Sequence, residues 1–116
     1  MKNTSLVLAF SLCALLVAPL ACLADGPVGC DFRKNSVNGP EPRCQERSGI
    51  QASTAFGPTC ATIQGETLDD GCPRSGAVAG CDISGDGTVV DWYYAPKTKE
   101  DVTKECADDD GKLVAP

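Results

Sequence analysis

The chain has no histidine among its 116 residues. Histidine is the usual base of Ser–His–Asp and Cys–His catalytic sites and a common metal ligand, so its absence disfavours both. Aromatic residues make up only 5% of the chain. No apolar run reaches the roughly 20 residues that a membrane-spanning helix needs. We therefore expect a protein that is not an enzyme and that uses no cofactor.

The first 24 residues have the pattern of a secretory signal peptide. Lys2 supplies a positive charge, residues 6–18 are almost wholly apolar, and Cys22 and Ala24 are the small residues of a cleavage site. Cleavage after Ala24 changes the net charge from −6 to −7, because Lys2 is the one charged residue removed. Such acidity argues against nucleic acid as a partner. We expect instead an unknown protein or a component of the cell envelope.

An alternative cleavage makes Cys22 the mature amino terminus. Leu20-Ala21-Cys22 resembles the core of a bacterial lipobox, whose cysteine is acylated. Pro19 departs from that pattern, because its position is normally aliphatic. Acyl chains would anchor the protein to a membrane. A membrane is therefore expected as a partner only if Cys22 is lipidated; otherwise the protein is extracellular or periplasmic.

Under either cleavage six cysteines remain in the folded domain, because Cys22 is either removed or lipidated. An even number in an exported chain is typical of a disulfide framework. None of their spacings is the short Cys-x-x-Cys of zinc and redox sites, so we expect no metal centre there. Each disulfide should add about 2–4 kcal/mol to the free energy of unfolding. The six are Cys30, Cys44, Cys60, Cys72, Cys81 and Cys106.

Composition and periodicity divide the mature chain in two. Residues 25–42 are rich in Gly, Pro, Asn and Ser, which predicts an irregular N-terminal arm. Residues 43–116 predict a small disulfide-rich α+β domain, with a short antiparallel sheet and two short helices. The predicted strands are 43–47, 66–68, 77–83, 88–95 and 112–114. The predicted helices are 54–64, with Ser53 as N-cap, and 99–110, which begins at a capping box of Thr98 and Asp101. Pro58 is compatible with the first helix only in its first turn.

A weak internal repeat suggests that this domain contains two related units. Cys60 to Leu68 aligns with Cys106 to Val114, each combining a helix end, a glycine and a short strand. In this interpretation Cys44 and Cys81 belong to equivalent strands. The fold would then be two strand–helix–strand units that share one sheet.

The disulfide pairing stays open between two patterns. Pairing of sequence neighbours joins Cys30 to Cys44, Cys60 to Cys72 and Cys81 to Cys106. The repeat instead joins Cys44 to Cys60, Cys81 to Cys106 and Cys30 to Cys72. Only the bridge from Cys81 to Cys106 is common to both.

The second half of the chain carries a family resemblance. It contains Cys72-Pro73-x-x-Gly76-x-Val78-x-Gly80-Cys81, then Trp92-Tyr93-Tyr94, and finally Cys106-x4-Gly111. This resembles small exported bacterial proteins and lipoproteins with a C-P-x-x-G-x-V-x-x-C segment, a Tyr pair and a terminal C-x4-G. The resemblance covers residues 43–116. It implies the envelope or exterior of a bacterium as the compartment, and no catalytic residue.

One segment resembles half of a calcium loop. Asp82, Ser84 and Asp86 would be oxygen ligands at alternating positions, followed by the glycine that makes the bend. The second half departs from the motif, because Tyr93 falls where a bidentate acid belongs. An Asp-Gly hairpin turn is the competing interpretation. A calcium-dependent binding module is therefore the third functional hypothesis.

Two further features suggest binding. On a strand, Tyr93 points to the opposite face from Trp92 and Tyr94. One face should belong to the core, and the other could present an aromatic side chain to a partner. Arg74 lies between two cysteines and could be the reactive residue of an inhibitor of an extracellular hydrolase. The first hypothesis is a non-catalytic structural or recognition protein of the envelope or exterior, and the inhibitor is the alternative.

Overall fold

The computed structural model describes residues 26–50 and 52–116. Its elements are β1 (Val28–Asp31), β2 (Arg43–Arg47), a π-helical segment (Ala52–Phe56), α1 (Gly57–Thr62), β3 (Glu66–Leu68), β4 (Ala77–Asp82), β5 (Val89–Tyr94), α2 (Lys99–Asp108) and β6 (Lys112–Val114). The six strands form one antiparallel sheet in the order β3–β1–β2–β5–β4–β6. The prediction of a small disulfide-rich α+β domain is confirmed.

Strand β1 corrects the prediction of an irregular arm over residues 25–42. Val28–Asp31 is buried along its whole length and lies between β2 and β3 in the sheet. The segment has only four residues, follows Gly26-Pro27 and contains Gly29, so it does not show the alternation by which strands are identified. The domain therefore starts at β1 and not at Arg43.

The two helices begin in different ways. At α2 the predicted capping box is present: the Thr98 hydroxyl accepts from the Asp101 amide at 3.2 Å, and the Asp101 carboxylate accepts from the Thr98 amide at 3.0 Å. Ser53 is not an N-cap, because it lies inside the π-helical segment. Pro58 lies in the first turn of α1 as expected, where a missing N–H costs nothing.

The sheet divides into two units of the same topology. In each unit two strands form an antiparallel pair, a helix follows, and a short third strand pairs with the first. The units are β3–β1–β2 and β6–β4–β5, and they join through β2 and β5, where Gln45 lies opposite Asp91. The predicted repeat is thus confirmed for its helix ends and short strands. The predicted equivalence of Cys44 and Cys81 was wrong, because Cys30 in β1 occupies the position of Cys81 in β4.

The disulfides follow this symmetry. Cys30 pairs with Cys60 and Cys81 with Cys106, each joining the first strand of a unit to its helix. Cys44 pairs with Cys72, which ties β2 to the segment 69–76. The prediction for Cys81 and Cys106 is confirmed, and both predicted patterns are wrong for the other four cysteines. Both failed because neither included β1.

The sheet has two different faces. The helix face carries α1 and α2, which pack on β1 and β3 and on β4 and β6 respectively. Its core is two separate clusters, one around Cys30 and Phe56 and one around Cys81 and Val102. The loop face, on the opposite side, is covered by the segment 69–76. Buried there are Cys44, Cys72, Val90, Trp92 and Tyr94.

Candidate functional site

The Arg74 side chain packs on the loop face. Its guanidinium lies 3.9 Å from the centre of the Trp92 ring and donates to both carboxylate oxygens of Glu46 at 2.9 Å. The Cys72 amide donates to the same carboxylate at 2.8 Å. Burial raises the pKa of Glu46, but these hydrogen bonds outweigh it and hold the pKa below the ordinary value of 4.5. An inhibitor's reactive residue must project into an enzyme pocket, so this geometry does not favour Arg74 in that role.

The three consecutive aromatic residues divide between the two faces, as the strand alternation predicts. Trp92 and Tyr94 belong to the core of the loop face, and the Tyr94 hydroxyl donates to the Pro73 carbonyl at 2.5 Å. Tyr93 packs on the helix face beside Val102. All three are at most 8% exposed. Trp92 and Tyr94 are therefore core residues, while Tyr93 also lines a cavity described below.

The calcium candidates form a hydrogen-bonded hairpin turn between β4 and β5. The Asp82 carboxylate accepts from the amides of Ser84, Gly85 and Gly87 at 2.9–3.1 Å and from the Ser84 hydroxyl at 2.7 Å. Asp86 accepts from the amide and hydroxyl of Thr88. Hydrogen bonds, first of all from the Ser84 hydroxyl, lower the pKa of Asp82. The oxygens of this loop are thus engaged by N–H and O–H donors, which favours the hairpin interpretation.

The positions of the two helices imply a groove between them on the helix face. Strands β2 and β5 form its floor, and we call it the central groove. Helix α1 lies over β1 and β3, and α2 lies over β4 and β6. The two helix axes are therefore four strand spacings apart, which at about 4.8 Å each is about 19 Å. Helices about 10 Å in diameter then leave a gap of about 9 Å, close to the width of one extended chain. The floor side chains are Arg43, Gln45, Arg47, Val89, Asp91 and Tyr93.

The floor is a connected ladder of polar side chains. Asp91 is 8% exposed and accepts from Arg43 at 3.2 Å and from Gln45 at 3.0 Å. The Gln45 carbonyl in turn accepts from Nε and Nη2 of Arg47, at 3.2 and 3.1 Å. Arg43 also pairs with Glu41. The ladder therefore fixes the orientation of Arg43, Gln45 and Arg47.

A cavity lies at each end of the central groove. One, of about 220 Å³, is lined by Arg43, Tyr93, Lys97 and Glu105 together with Glu41 and Pro42. Burial, with a contribution from Asp91, raises the pKa of Tyr93 to about 12. Lys97 pairs with Glu105 on its rim. This end is polar and its charges are balanced.

The cavity at the other end is lined mainly by alanine, valine and phenylalanine side chains. It has a volume of about 200 Å³ and is lined by Phe56, Ala52, Ala55 and Val89, with Arg47, Ser48 and Thr88 at its edge. Arg47 lies over the Phe56 ring, 4.5 Å from its centre. Two exposed aliphatic residues, Ile83 and Ile50, are near this cavity. The Ile83 amide donates to the Val89 carbonyl, and Ile50 is two residues before Ala52. This end offers an apolar surface beside a cation.

Sequence reasoning missed the central groove. A signal was present in β2, where Arg43, Gln45 and Arg47 alternate with two residues that face the other side. That alternation marks a strand whose polar face is not in the core. It does not show that two helices stand on either side of that face.

Within residues 26–50 and 52–116 no cluster of three or more Cys, Asp or Glu side chains could hold a metal ion. In the same part of the chain no helix is long and apolar enough to cross a bilayer. The three disulfides indicate an oxidising compartment, either extracellular or periplasmic. The predicted cleavage sites, with Cys22, lie outside the described residues. Comparison of the chain with protein-family models, curated proteins and solved structures found no match.

Proposed function

We propose that the mature chain is an exported, non-catalytic recognition protein that binds a partner in its central groove. The observation that carries the proposal is the groove floor. Around it the core residues of both units are buried, yet β2 turns polar, partly exposed side chains toward the space between the helices, where buried Asp91 of β5 holds two of them. A cavity at either end adds concave surface, which binding sites favour over flat surface.

The rigidity of the frame supports a binding role. The strand–helix disulfides Cys30–Cys60 and Cys81–Cys106 hold each helix on its own unit, and Cys44–Cys72 closes the opposite face. A site whose walls are held in place loses less conformational entropy on binding. A purely structural envelope protein would need the disulfides but not the preorganised polar ladder. We therefore favour recognition over a structural role.

The two other hypotheses lack comparable support. An inhibitor acting through Arg74 would have to break its contacts with Glu46 and Trp92. A calcium module would have to displace the N–H donors around Asp82. Among the described residues no interaction offsets the loss of the Arg74 contacts or of the hydrogen bonds to Asp82.

Export is tested by the intact mass of the protein recovered from an expressing bacterium. We expect a chain that begins at Asp25 and takes up alkylating reagent on six cysteines only after reduction. A chain that begins at Cys22 with added acyl mass would make the protein a membrane-anchored lipoprotein. Free thiols before reduction would contradict the disulfide framework.

Recognition is tested by panning a random 12-residue peptide library on the oxidised mature chain. Two variants fill the ends of the central groove: Ala55→Trp beside Phe56, and Glu105→Trp beside Tyr93. A matched control, Lys104→Trp, adds the same bulk at a side chain that is 79% exposed and outside the cavities. We expect selected peptides to bind the wild type and the control, and at least one groove variant to lose at least tenfold in affinity. Equal binding by all variants, or no selected peptide, would refute the proposal.

A further inference from the structure

All four arginines of the chain lie over an aromatic ring. Arg33 lies over Tyr94, Arg43 over Phe32, Arg47 over Phe56 and Arg74 over Trp92, with 3.9–4.6 Å from guanidinium carbon to ring centre. An aromatic face holds a guanidinium flat and leaves its edges available for planar hydrogen bonding to an anion. The protein uses this arrangement repeatedly, on both faces of the sheet.

Three of these arginines are paired with a carboxylate of the chain itself. Asp31 pairs with Arg33 at 2.7 Å, and Glu46 pairs with Arg74 at 2.9 Å. Arg43 pairs with Glu41 and Asp91, each at 3.2 Å. In three of the four cases, therefore, the guanidinium is stacked on a ring and also paired with a carboxylate.

Arg47 is the exception. Among residues 26–50 and 52–116 its guanidinium hydrogen-bonds to the neutral Gln45 carbonyl, and no carboxylate lies within ion-pair distance. Gln45 occupies the Nε–Nη2 edge, so the Nη1–Nη2 edge is left for a second acceptor. Gln45 is itself held by Asp91 at 3.0 Å, which keeps Arg47 in place over Phe56. The side chain is thus exposed and oriented, with one edge of its guanidinium accessible to an acceptor.

The cavity lined by Phe56, Ala55 and Val89 lies directly beside this guanidinium. Its volume of about 200 Å³ is below the roughly 300–1,000 Å³ of sites for whole small-molecule ligands. It is large enough for one apolar side chain of a partner protein. Hot spots of protein interfaces have this form, with an anchor residue in a small pocket next to a polar contact.

We propose that this end of the central groove binds a polypeptide segment in which an acidic residue is adjacent to a large apolar residue. The apolar side chain fills the cavity formed by Phe56, Ala55 and Val89, and the carboxylate accepts from Arg47 along its Nη1–Nη2 edge. The segment lies extended along the groove floor. This inference rests on the proposed function and names the class of partner for that site.

The test uses the peptides selected by the wild-type protein from the random library. We expect Asp or Glu within two positions of Phe, Leu, Ile or Met to recur among them. A synthetic copy of the best binder is then measured by titration calorimetry against the wild type, Arg47→Gln and Arg47→Lys. We expect Arg47→Gln to weaken binding at least tenfold and Arg47→Lys to lie between, because lysine keeps the charge and loses the planar edge.

Two controls separate a specific pair from general electrostatics. Lys104→Gln removes one positive charge at an exposed position of α2 and should leave the affinity unchanged. Replacing the peptide's acidic residue by its amide should weaken binding to the wild type but cause little further loss with Arg47→Gln. An unchanged melting temperature of Arg47→Gln shows that the fold is intact.

The outcomes distinguish this inference from the proposed function. Selected peptides without an acidic residue, or equal binding by Arg47→Gln, would overturn the inference. If those peptides still lost affinity with Glu105→Trp, recognition in the central groove would stand. If the protein instead associated with a second copy of itself, and Arg47→Gln abolished that association, the site would be a self-association site and the inference would be overturned. If no peptide binds in the groove, both proposals fail.

Discussion

Gly65 and Gly111 occupy equivalent positions in the two units, each against the disulfide that ties a strand to a helix. A Cβ at Gly65 would overlap Cys30 Sγ and lie 2.9 Å from Cys60 Sγ. A Cβ at Gly111 would overlap Cys81 Sγ and lie 3.0 Å from Cys106 Sγ. The residues before them, Gln64 and Asp110, both have positive φ values, of 64° and 55°. The two helices thus end in the same way, and each glycine is required by the sulfur atoms beside it.

We expect Gly65→Ala and Gly111→Ala each to lower the free energy of unfolding by about 1–3 kcal/mol, the usual cost of overpacking. Neither glycine has a positive φ, so the effect comes from the contact with sulfur. The control is Gly26→Ala, where a Cβ would meet nothing within 4 Å. Its stability should stay within about 0.5 kcal/mol of the wild type. Chemical denaturation of the oxidised proteins measures all three, and equal stability would contradict the close approach.

The disulfide pairing is checked by peptide mapping without reduction. Trypsin alone leaves Cys60 and Cys72 in one peptide, because no Lys or Arg lies between them. A second protease that cuts at Glu66 separates the two. We expect linked peptides joining Cys30 to Cys60, Cys44 to Cys72 and Cys81 to Cys106. A peptide joining Cys30 to Cys44 would disprove the position of β1 beside the helix.

Removal of Arg74 should destabilise the fold. Arg74→Ala leaves the Glu46 carboxylate, which is 8% exposed, without its main counter-charge. The Arg74 side chain is itself 45% exposed, so solvent reduces the effect and we expect a loss of about 1–2 kcal/mol. Lys104→Ala, which breaks an exposed ion pair on α2, should cost at most about 0.5 kcal/mol. Thermal melts of the two variants compare them, and equal melting temperatures would argue against a structural role for Arg74.

Stability should depend on pH through Glu46. Because its pKa is lower in the folded protein than the ordinary 4.5, the ionised carboxylate stabilises the fold above that value. The contribution is lost as pH falls through the folded pKa. The wild type should therefore lose stability progressively as pH falls below the ordinary value of 4.5. Glu46→Gln should start less stable and show a shallower loss over the same interval; parallel curves would contradict the shift.

Tyr93 should resist deprotonation in the folded state. Burial and the nearby Asp91 carboxylate raise its pKa to about 12, and burial raises the pKa of Tyr94 as well. Alkaline titration followed by tyrosinate absorbance should show no group near 10 until the protein unfolds. Asp91→Asn should lower the Tyr93 pKa because it removes a negative charge, with Tyr94→Phe providing a single-tyrosine background. A normal titration in the native protein would mean that Tyr93 is not buried.

Elements with a strong local signal were predicted well from sequence. The capping box at Thr98, the glycines after each helix and the Asp-Gly hairpin after Asp82 depend on interactions a few residues apart, which the sequence displays directly. The same holds for β2, β3 and β6, whose predicted limits match the observed ones. The signals missed were those of β1, which is short and interrupted, and of the π-helical turn before α1.

The candidate site was not predicted because no single segment contains it. Arg47 comes from β2, Phe56 from the π-helical segment and Val89 from β5. Their proximity follows from the pairing of β2 with β5 and from the packing of each helix on its own unit. Arg74, by contrast, was singled out from its position in the chain, and its contacts with Glu46 and Trp92 come from residues far away in sequence.

By itself, the amino-acid sequence determined the α+β class, the need for disulfides, the presence of two similar units and the absence of histidine chemistry. These properties depend on composition, on local hydrogen bonds and on the spacing of apolar residues. Only the tertiary structure decided which cysteines pair and which face of β2 remains partly exposed. It also decided which of the four stacked arginines has no carboxylate partner among residues 26–50 and 52–116. Each of these depends on contacts between segments distant in sequence, and the energy of such contacts is set by the sheet order, which no local pattern encodes.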